Sequence, residues 1–131
     1  DTQEGMITSS TYTADQLFAS IRMEREDESN KLKEQLDDII ASSSASSTEM
    51  NEAYEEMKQL ESMKTKEFII EETLKSEGDY QDVLVRADGE GVVITVKTEQ
   101  ELSGEEANRI MQLASDEFGQ VNIEVESQPI G

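Results

Sequence analysis

Alternating apolar and polar residues predict three strands in the C-terminal third of the chain. Apolar side chains occupy every second position within residues 82–86, 92–97 and 121–126, which is the period of a half-buried strand. The sequence DGEG at residues 88–91 separates the first two strands, and its glycines can adopt the positive φ angles of a hairpin loop. The pattern therefore predicts a hairpin, followed later by a third strand.

Helical periodicity fills the gap between the second and third strands. Ser103 and Glu106 have the spacing of a capping box, in which each side chain binds the other residue's backbone amide. Apolar residues then recur at the spacing of one helical face, and Gly119 is placed to end the helix in a left-handed conformation. The predicted order of this part is β-β-α-β.

Two long helices are predicted upstream. Thr13 with Gln16 predicts the start of a helix that ends near Ala41, and Ser46 with Glu49 predicts the start of another that continues to about residue 76. We therefore divide the chain into a flexible tail at residues 1–12, a helix with a serine-rich break at residues 13–47, and an α-β-β-α-β domain at residues 48–128.

Strand parity predicts what each face of the sheet contacts. The apolar positions fall on one face, which two helices should cover: Val83, Val85, Val92, Ile94, Val96, Val121, Ile123 and Val125. The other face should meet water or a partner, with Leu84 and Val93 as apolar neighbours on it. The third strand can lie beside the second or beyond the first, and we expect the order 2-1-3. Both edges of this sheet should be open to another strand.

The first helix is too long for a small sheet to cover. About 29 helical residues span roughly 43 Å, and residues 22–33 are nearly all polar, with Met23 and Leu32 as their apolar members. We expect this polar middle to extend from the domain, where it is solvated or bound by another protein.

Charge and composition exclude several functions. The formal net charge of −20 argues against binding nucleic acid or an anionic membrane surface, both of which require basic residues. The chain has no cysteine and no histidine, and it has no apolar run long enough to span a membrane. Two acidic fragments, at residues 79–82 and 88–90, lack the ligand spacing of a calcium loop. We expect no catalytic residues, metal or cofactor.

Four sequence blocks, in this order, resemble the extracytoplasmic domain of the stage III sporulation protein AH family of endospore-forming bacteria. No block is a catalytic signature, and the specificity of the resemblance comes from their order over residues 8–128. The blocks are TYTADQLF with IRME at residues 11–24, NEAYEEMKQL at 51–60, DVLVRA with VVITVK at 82–97, and EANRIMQL at 106–113.

The resemblance implies an α+β fold of the ring-building type found in type III secretion and flagellar ring proteins. It also implies a non-enzymatic domain in the space between mother cell and forespore, and a mother-cell membrane anchor outside this sequence. The implied partner is stage II sporulation protein Q, together with further copies of the chain in a ring, as part of an intercellular channel.

Candidate partner-binding residues lie on the first helix and on the second face of the hairpin. They are Ile21, Met23, Arg25, Leu84, Arg86, Val93 and Thr95. Two alternatives remain at this point. One is an acidic adaptor that binds a basic protein through charge alone, and the other is a metal-binding domain that uses carboxylates.

Overall fold

A computed structural model describes residues 13–78 and 80–129, and within them the chain folds as an α+β domain. The predicted tail, residues 1–12, and Asp79 of the first acidic fragment lie outside this described part. The elements are α1 (Ala14–Ala41), α2 (Ser47–Glu77), β1 (Asp82–Ala87), β2 (Gly91–Thr98), α3 (Gly104–Phe118) and β3 (Asn122–Pro129).

The predicted capping boxes begin all three helices. In each, a hydroxyl accepts from the backbone amide three residues on, and the side chain at that position accepts from the capping residue's amide. These contacts satisfy amides that the first helical turn leaves without a partner. The predicted helix boundaries consequently agree with the structure to within one residue at the start of α1, α2 and α3.

The sheet order is β1-β2-β3, so the expected order 2-1-3 is wrong. β1 pairs antiparallel with β2, and β3 pairs parallel with β2, in a register that places Val92 opposite Ile123. The far side of β1 is unavailable to β3 because side chains of α1 and α2 bind its backbone groups there. β3 therefore forms one edge of the sheet and β1 the other.

The predicted apolar face carries the main core. Strand residues Val83, Val85, Ile94 and Val96 are fully buried there against residues of α2 and α3, which both cover this face. Val121 is an exception, since it precedes β3 and its side chain is 42 % exposed.

The second face is partly covered by α1, contrary to expectation. Phe18 of α1 and Leu84 of β1 are each 1 % exposed, and α1 contacts β1 directly. The guanidinium of Arg22 lies 5.7 Å from the centre of the Phe18 ring. The N-terminal half of α1 is therefore docked on the sheet, and its later part packs against α2, where Leu36 is buried.

The hairpin turn does not use its glycines as predicted. Gly119 is the one residue with positive φ in the described part of the chain, at 83°. The carboxylate of Asp88 instead accepts hydrogen bonds from the amides of Glu90 and Gly91. Gly91 is needed for a different reason, because a Cβ atom there would lie 2.4 Å from the carbonyl oxygen of Asn122 in β3.

Replacing Phe18 with alanine should lower the free energy of unfolding by about 3 kcal/mol, because it removes a fully buried aromatic side chain and leaves a cavity. The matched control on the same helix is Met23→Ala, which removes a side chain that is 68 % exposed and should change stability by less than about 0.5 kcal/mol. Urea unfolding followed by circular dichroism measures both. Equal small effects would show that α1 is not docked.

Candidate interaction surfaces

The outer edge of β1 is closed by carboxylates from α2. The amide of Val85 donates to Oε2 of Glu71 at 2.8 Å, and the amide of Ala87 donates to Oε2 of Glu67, also at 2.8 Å. Both glutamates are buried. Their carboxylates therefore take the place of the carbonyl groups that a neighbouring strand would supply.

The carbonyl groups of the same edge are bound by arginines from α1. Nη2 of Arg22 donates to the carbonyl oxygen of Val83 at 2.8 Å, and Nη1 of Arg25 donates to that of Val85 at 2.6 Å. Arg25 also binds Glu71, at 2.8 Å. We call Arg22, Arg25, Glu67 and Glu71 the edge lock, because together they leave little for an added strand to pair with on this side.

Burial and ion pairing shift the pKa values in and beside the edge lock. Burial raises the pKa of Glu67, although the hydrogen bond from Ala87 and the charge of Arg25 partly oppose this. The pKa of Asp82 shifts in the opposite direction. Burial alone would raise its pKa, but the bidentate hydrogen bonds and charge of Arg22 outweigh burial and lower it.

Sequence reasoning missed the two buried glutamates, although a signal was present. Glu67, Ile70, Glu71 and Leu74 follow one another at i, i+3, i+4 and i+7, which is a single helical face. Ile70 and Leu74 are apolar residues of that face, so a helix that buries them also buries the two glutamates that alternate with them. A buried carboxylate requires donors, and the exposed amides of an edge strand can provide them.

The predicted partner-binding residues of α1 do not form one surface. Arg25 belongs to the edge lock, and Ile21 is half-buried. Met23 is the most exposed large hydrophobic residue in the described part of the chain. Of these three residues, Met23 alone offers an exposed side chain to a partner.

The predicted partner-binding residues of the hairpin also differ in how exposed they are. Leu84 is buried under α1, so the expectation that it is exposed beside Val93 is wrong. Arg86 is partly exposed and contacts Glu24 at 3.5 Å. Val93 and Thr95 are half-buried on β2, and the Thr95 hydroxyl lies 3.3 Å from Oε1 of Glu126. The uncovered part of the second face is thus on β2 and β3.

The outer side of β3 has no strand beside it in the described part of the chain. Glu124 and Glu126 of β3 are exposed, and Glu124 lies opposite Val93 in the sheet register. We call this edge, together with Val93, Thr95, Glu124 and Glu126, the open surface. Its outer backbone groups pair with no strand among residues 13–78 and 80–129, and its face mixes apolar and acidic side chains, which is a geometry suited to strand addition.

Residues 13–78 and 80–129 contain neither a metal site nor a membrane span. No group of three or more acidic, histidine or cysteine side chains there is placed to hold a metal ion. None of the described helices is both long and apolar enough to cross a membrane.

A small α+β domain with one locked and one open sheet edge has the structure of an assembly module. The chain belongs to the SpoIIIAH-like protein family, whose model matches residues 2–125. This confirms the family resemblance of the four sequence blocks.

Two relatives support the assignment. The stage III sporulation protein AH of Bacillus subtilis (strain 168) is 37 % identical over 109 residues, which are 82 % of this chain and 49 % of that protein. The chain therefore spans about half the length of this curated relative. A chain in the solved structure of the SpoIIQ-SpoIIIAH pore forming complex aligns with a TM-score of 0.79 and 32 % identity, over 86 % of this chain and 97 % of that one.

Replacing Glu71 with alanine should lower the free energy of unfolding by about 3 kcal/mol, since it leaves the Val85 amide without its acceptor and Arg25 with only the more distant Glu67, at 3.8 Å. Hydrogen exchange at Val85 should accelerate. The neighbouring control is Glu72→Ala, which removes an exposed ion pair with Lys75 and should cost less than about 0.5 kcal/mol. A Val85 amide that stays protected in Glu71→Ala would contradict its assigned acceptor.

Asp82→Asn tests the pH dependence of the edge. Because the folded pKa of Asp82 is lowered from 3.8, its charged form stabilises the fold above pH 3.8, and this contribution disappears as the pH falls through the lower folded value. Wild type should therefore be more stable than Asp82→Asn at pH 7, and the difference should shrink below pH 3.8. Denaturant unfolding at pH 7, 4, 3 and 2.5 measures it, with exposed Asp37→Asn as the control for net charge. A difference that stays constant would contradict the pairing with Arg22.

Proposed function

We propose that this domain is a non-enzymatic bridging module in endospore formation, which binds stage II sporulation protein Q and contributes to a channel between mother cell and forespore. The observation that carries the proposal is the structural match, at 32 % identity, to a chain in a complex that contains both proteins. At that identity over nearly the whole of the matched chain, both fold and family are shared.

The same proposal includes location and assembly. The domain lies in the space between the two membranes, held on the mother-cell side by an anchor outside the present sequence, and several copies assemble as a ring. The ring-building type of fold and the family membership support this.

We place the docking of stage II sporulation protein Q on the open surface. The edge lock occupies the β1 edge, whereas the β3 edge has no neighbouring strand among the described residues. Val93 and Thr95 lie next to that edge on a face that α1 leaves uncovered. Arg86, which lies opposite Val93 in the register of β1 with β2, and Met23 of α1 are further candidates because both are exposed.

Binding of the purified extracytoplasmic domain of stage II sporulation protein Q, measured by calorimetry, tests the proposal. Val93→Glu should weaken binding at least tenfold, because it inserts a charge into a half-buried apolar position of the open surface. The matched control is Ile39→Glu, the same kind of change at an exposed aliphatic residue of α1, which should alter affinity less than twofold.

The outcomes separate the function from its location. No complex at tens of micromolar would contradict the proposed function. Complex formation that both variants weaken equally would contradict the open surface as the docking site. Binding that disappears when the salt concentration is raised to 0.5 M would favour the acidic adaptor instead, since charge alone is screened at that ionic strength.

A further inference from the structure

A groove separates α1 from α2 beyond the tip of the β1–β2 hairpin. The two helices diverge here because α1 lies on the second face of the sheet and α2 on the first. Beyond the sheet they approach each other again, where Leu36 and Ala53 are buried. The groove has a volume of about 620 Å³, and the backbone of residues 87–89 forms one end of it.

The groove lining is mostly apolar and is not filled by the protein itself. Leu32, Leu60, Met63 and Phe68 contribute to it, and Phe68 is 62 % exposed at the groove. Burying such surface against another chain would be favourable in proportion to the apolar area removed from water. The groove lies at the β1 side of the sheet, whereas the open surface is centred on the β3 edge.

One polar group within the groove also lacks a partner. Oγ of Ser29 is buried and forms no hydrogen bond within the described part of the chain. Buried hydroxyl groups are nearly always hydrogen-bonded. Because this oxygen is covered by the protein itself, an occupant of the groove would reach it only after the Ser29 side chain changes its rotamer.

The charges around the groove define the chemistry of the occupant. Both basic side chains in the lining are already paired, Arg25 with Glu71 at 2.8 Å and Lys64 with Glu26 at 3.9 Å. Glu28 and Glu56 have no ion-pair partner among the described residues. Each projects from a different helix, so negative charge flanks the apolar lining on both sides.

Asp88 adds a third negative charge at the hairpin end of the groove. It forms no ion pair with a lysine or arginine within residues 13–78 and 80–129. A second copy of this chain is a poor occupant, because a net charge of −20 opposes −20 on approach. An added strand is equally poor, since the nearby β1 edge is held by the edge lock.

We propose that this groove binds a basic segment of another protein, which inserts a bulky apolar side chain between α1 and α2 while its lysine or arginine residues meet Glu28, Glu56 and Asp88. The inference goes beyond the proposed function, because it fixes the chemistry of the segment and not the protein that supplies it. It is tested without stage II sporulation protein Q, so the two proposals fail independently.

The probe is a 14-residue helical peptide of leucine and lysine, with its leucines on one face, titrated into the domain at 150 mM NaCl. Amide shifts in a ¹H–¹⁵N spectrum should concentrate at Ser29, Leu32, Met63 and Gly89. The same peptide with glutamate in place of lysine should bind at least tenfold more weakly.

Two pairs of variants identify the contacts. Phe68→Ala should weaken binding of the lysine peptide at least fivefold, whereas Tyr54→Ala, which removes an exposed aromatic residue of the same helix outside the groove, should change it less than twofold. The double variant Glu28→Gln/Glu56→Gln should weaken it at least fivefold. Its control is Glu34→Gln/Glu52→Gln, which makes the same charge change on the same two helices at exposed positions outside the groove.

Any of four results would overturn the proposal. Shifts spread over the acidic surface, or equal weakening by both double variants, would mean that the peptide responds to net charge alone. Equal binding of the glutamate peptide would exclude a basic occupant. Concentration-dependent dimerisation that Phe68→Ala abolishes, seen by sedimentation, would assign the groove to a second copy.

Discussion

The contact between four charged side chains and the outer backbone of β1 is the constraint on which the rest of this fold depends. An edge strand exposes amide and carbonyl groups, and leaving such groups buried without partners costs about 1–3 kcal/mol each. Glu67 and Glu71 bind the amides, and Arg22 and Arg25 bind the carbonyls. The two helices that supply them are thereby fixed on opposite faces of the same strand.

Arg25 couples the docking of α1 to the docking of α2. Arg25 reaches from α1 to Glu71 of α2 and to the carbonyl oxygen of Val85 in β1. Removing α1 would leave the buried carboxylate of Glu71 without the positive charge of Arg25. Removing α2 would leave the Arg25 guanidinium without the negative charge of Glu71. Three elements that are distant in sequence are therefore stable together, and β3 is excluded from this side of the sheet.

The local sequence pattern was sufficient to predict the helices and strands, but it was insufficient to predict how they pack together. The capping boxes and the strand alternation depend on residues within four positions of each other, so helices, strands and the main apolar face could be predicted. The errors concern Leu84, the strand order and the polar middle of α1. All three follow from contacts such as Arg22 with Asp82 and Arg25 with Glu71, whose partners are 60 and 46 residues apart. A periodicity rule treats such charged residues as solvated, and here they are the ones that bind the edge.

Several of the few basic residues are used in pairs within the domain. The chain has 11 basic residues against 31 acidic ones, and Arg22, Arg25 and the buried Lys97 are paired with Asp82, Glu71 and Asp15. Few cations remain to neutralise the outside, so contacts between copies are opposed by charge unless a specific surface compensates. The open surface extends from β2 to the β3 edge, and the groove between α1 and α2 lies at the β1 side of the sheet. A surface on which such compensation can occur is therefore present at each side of the sheet.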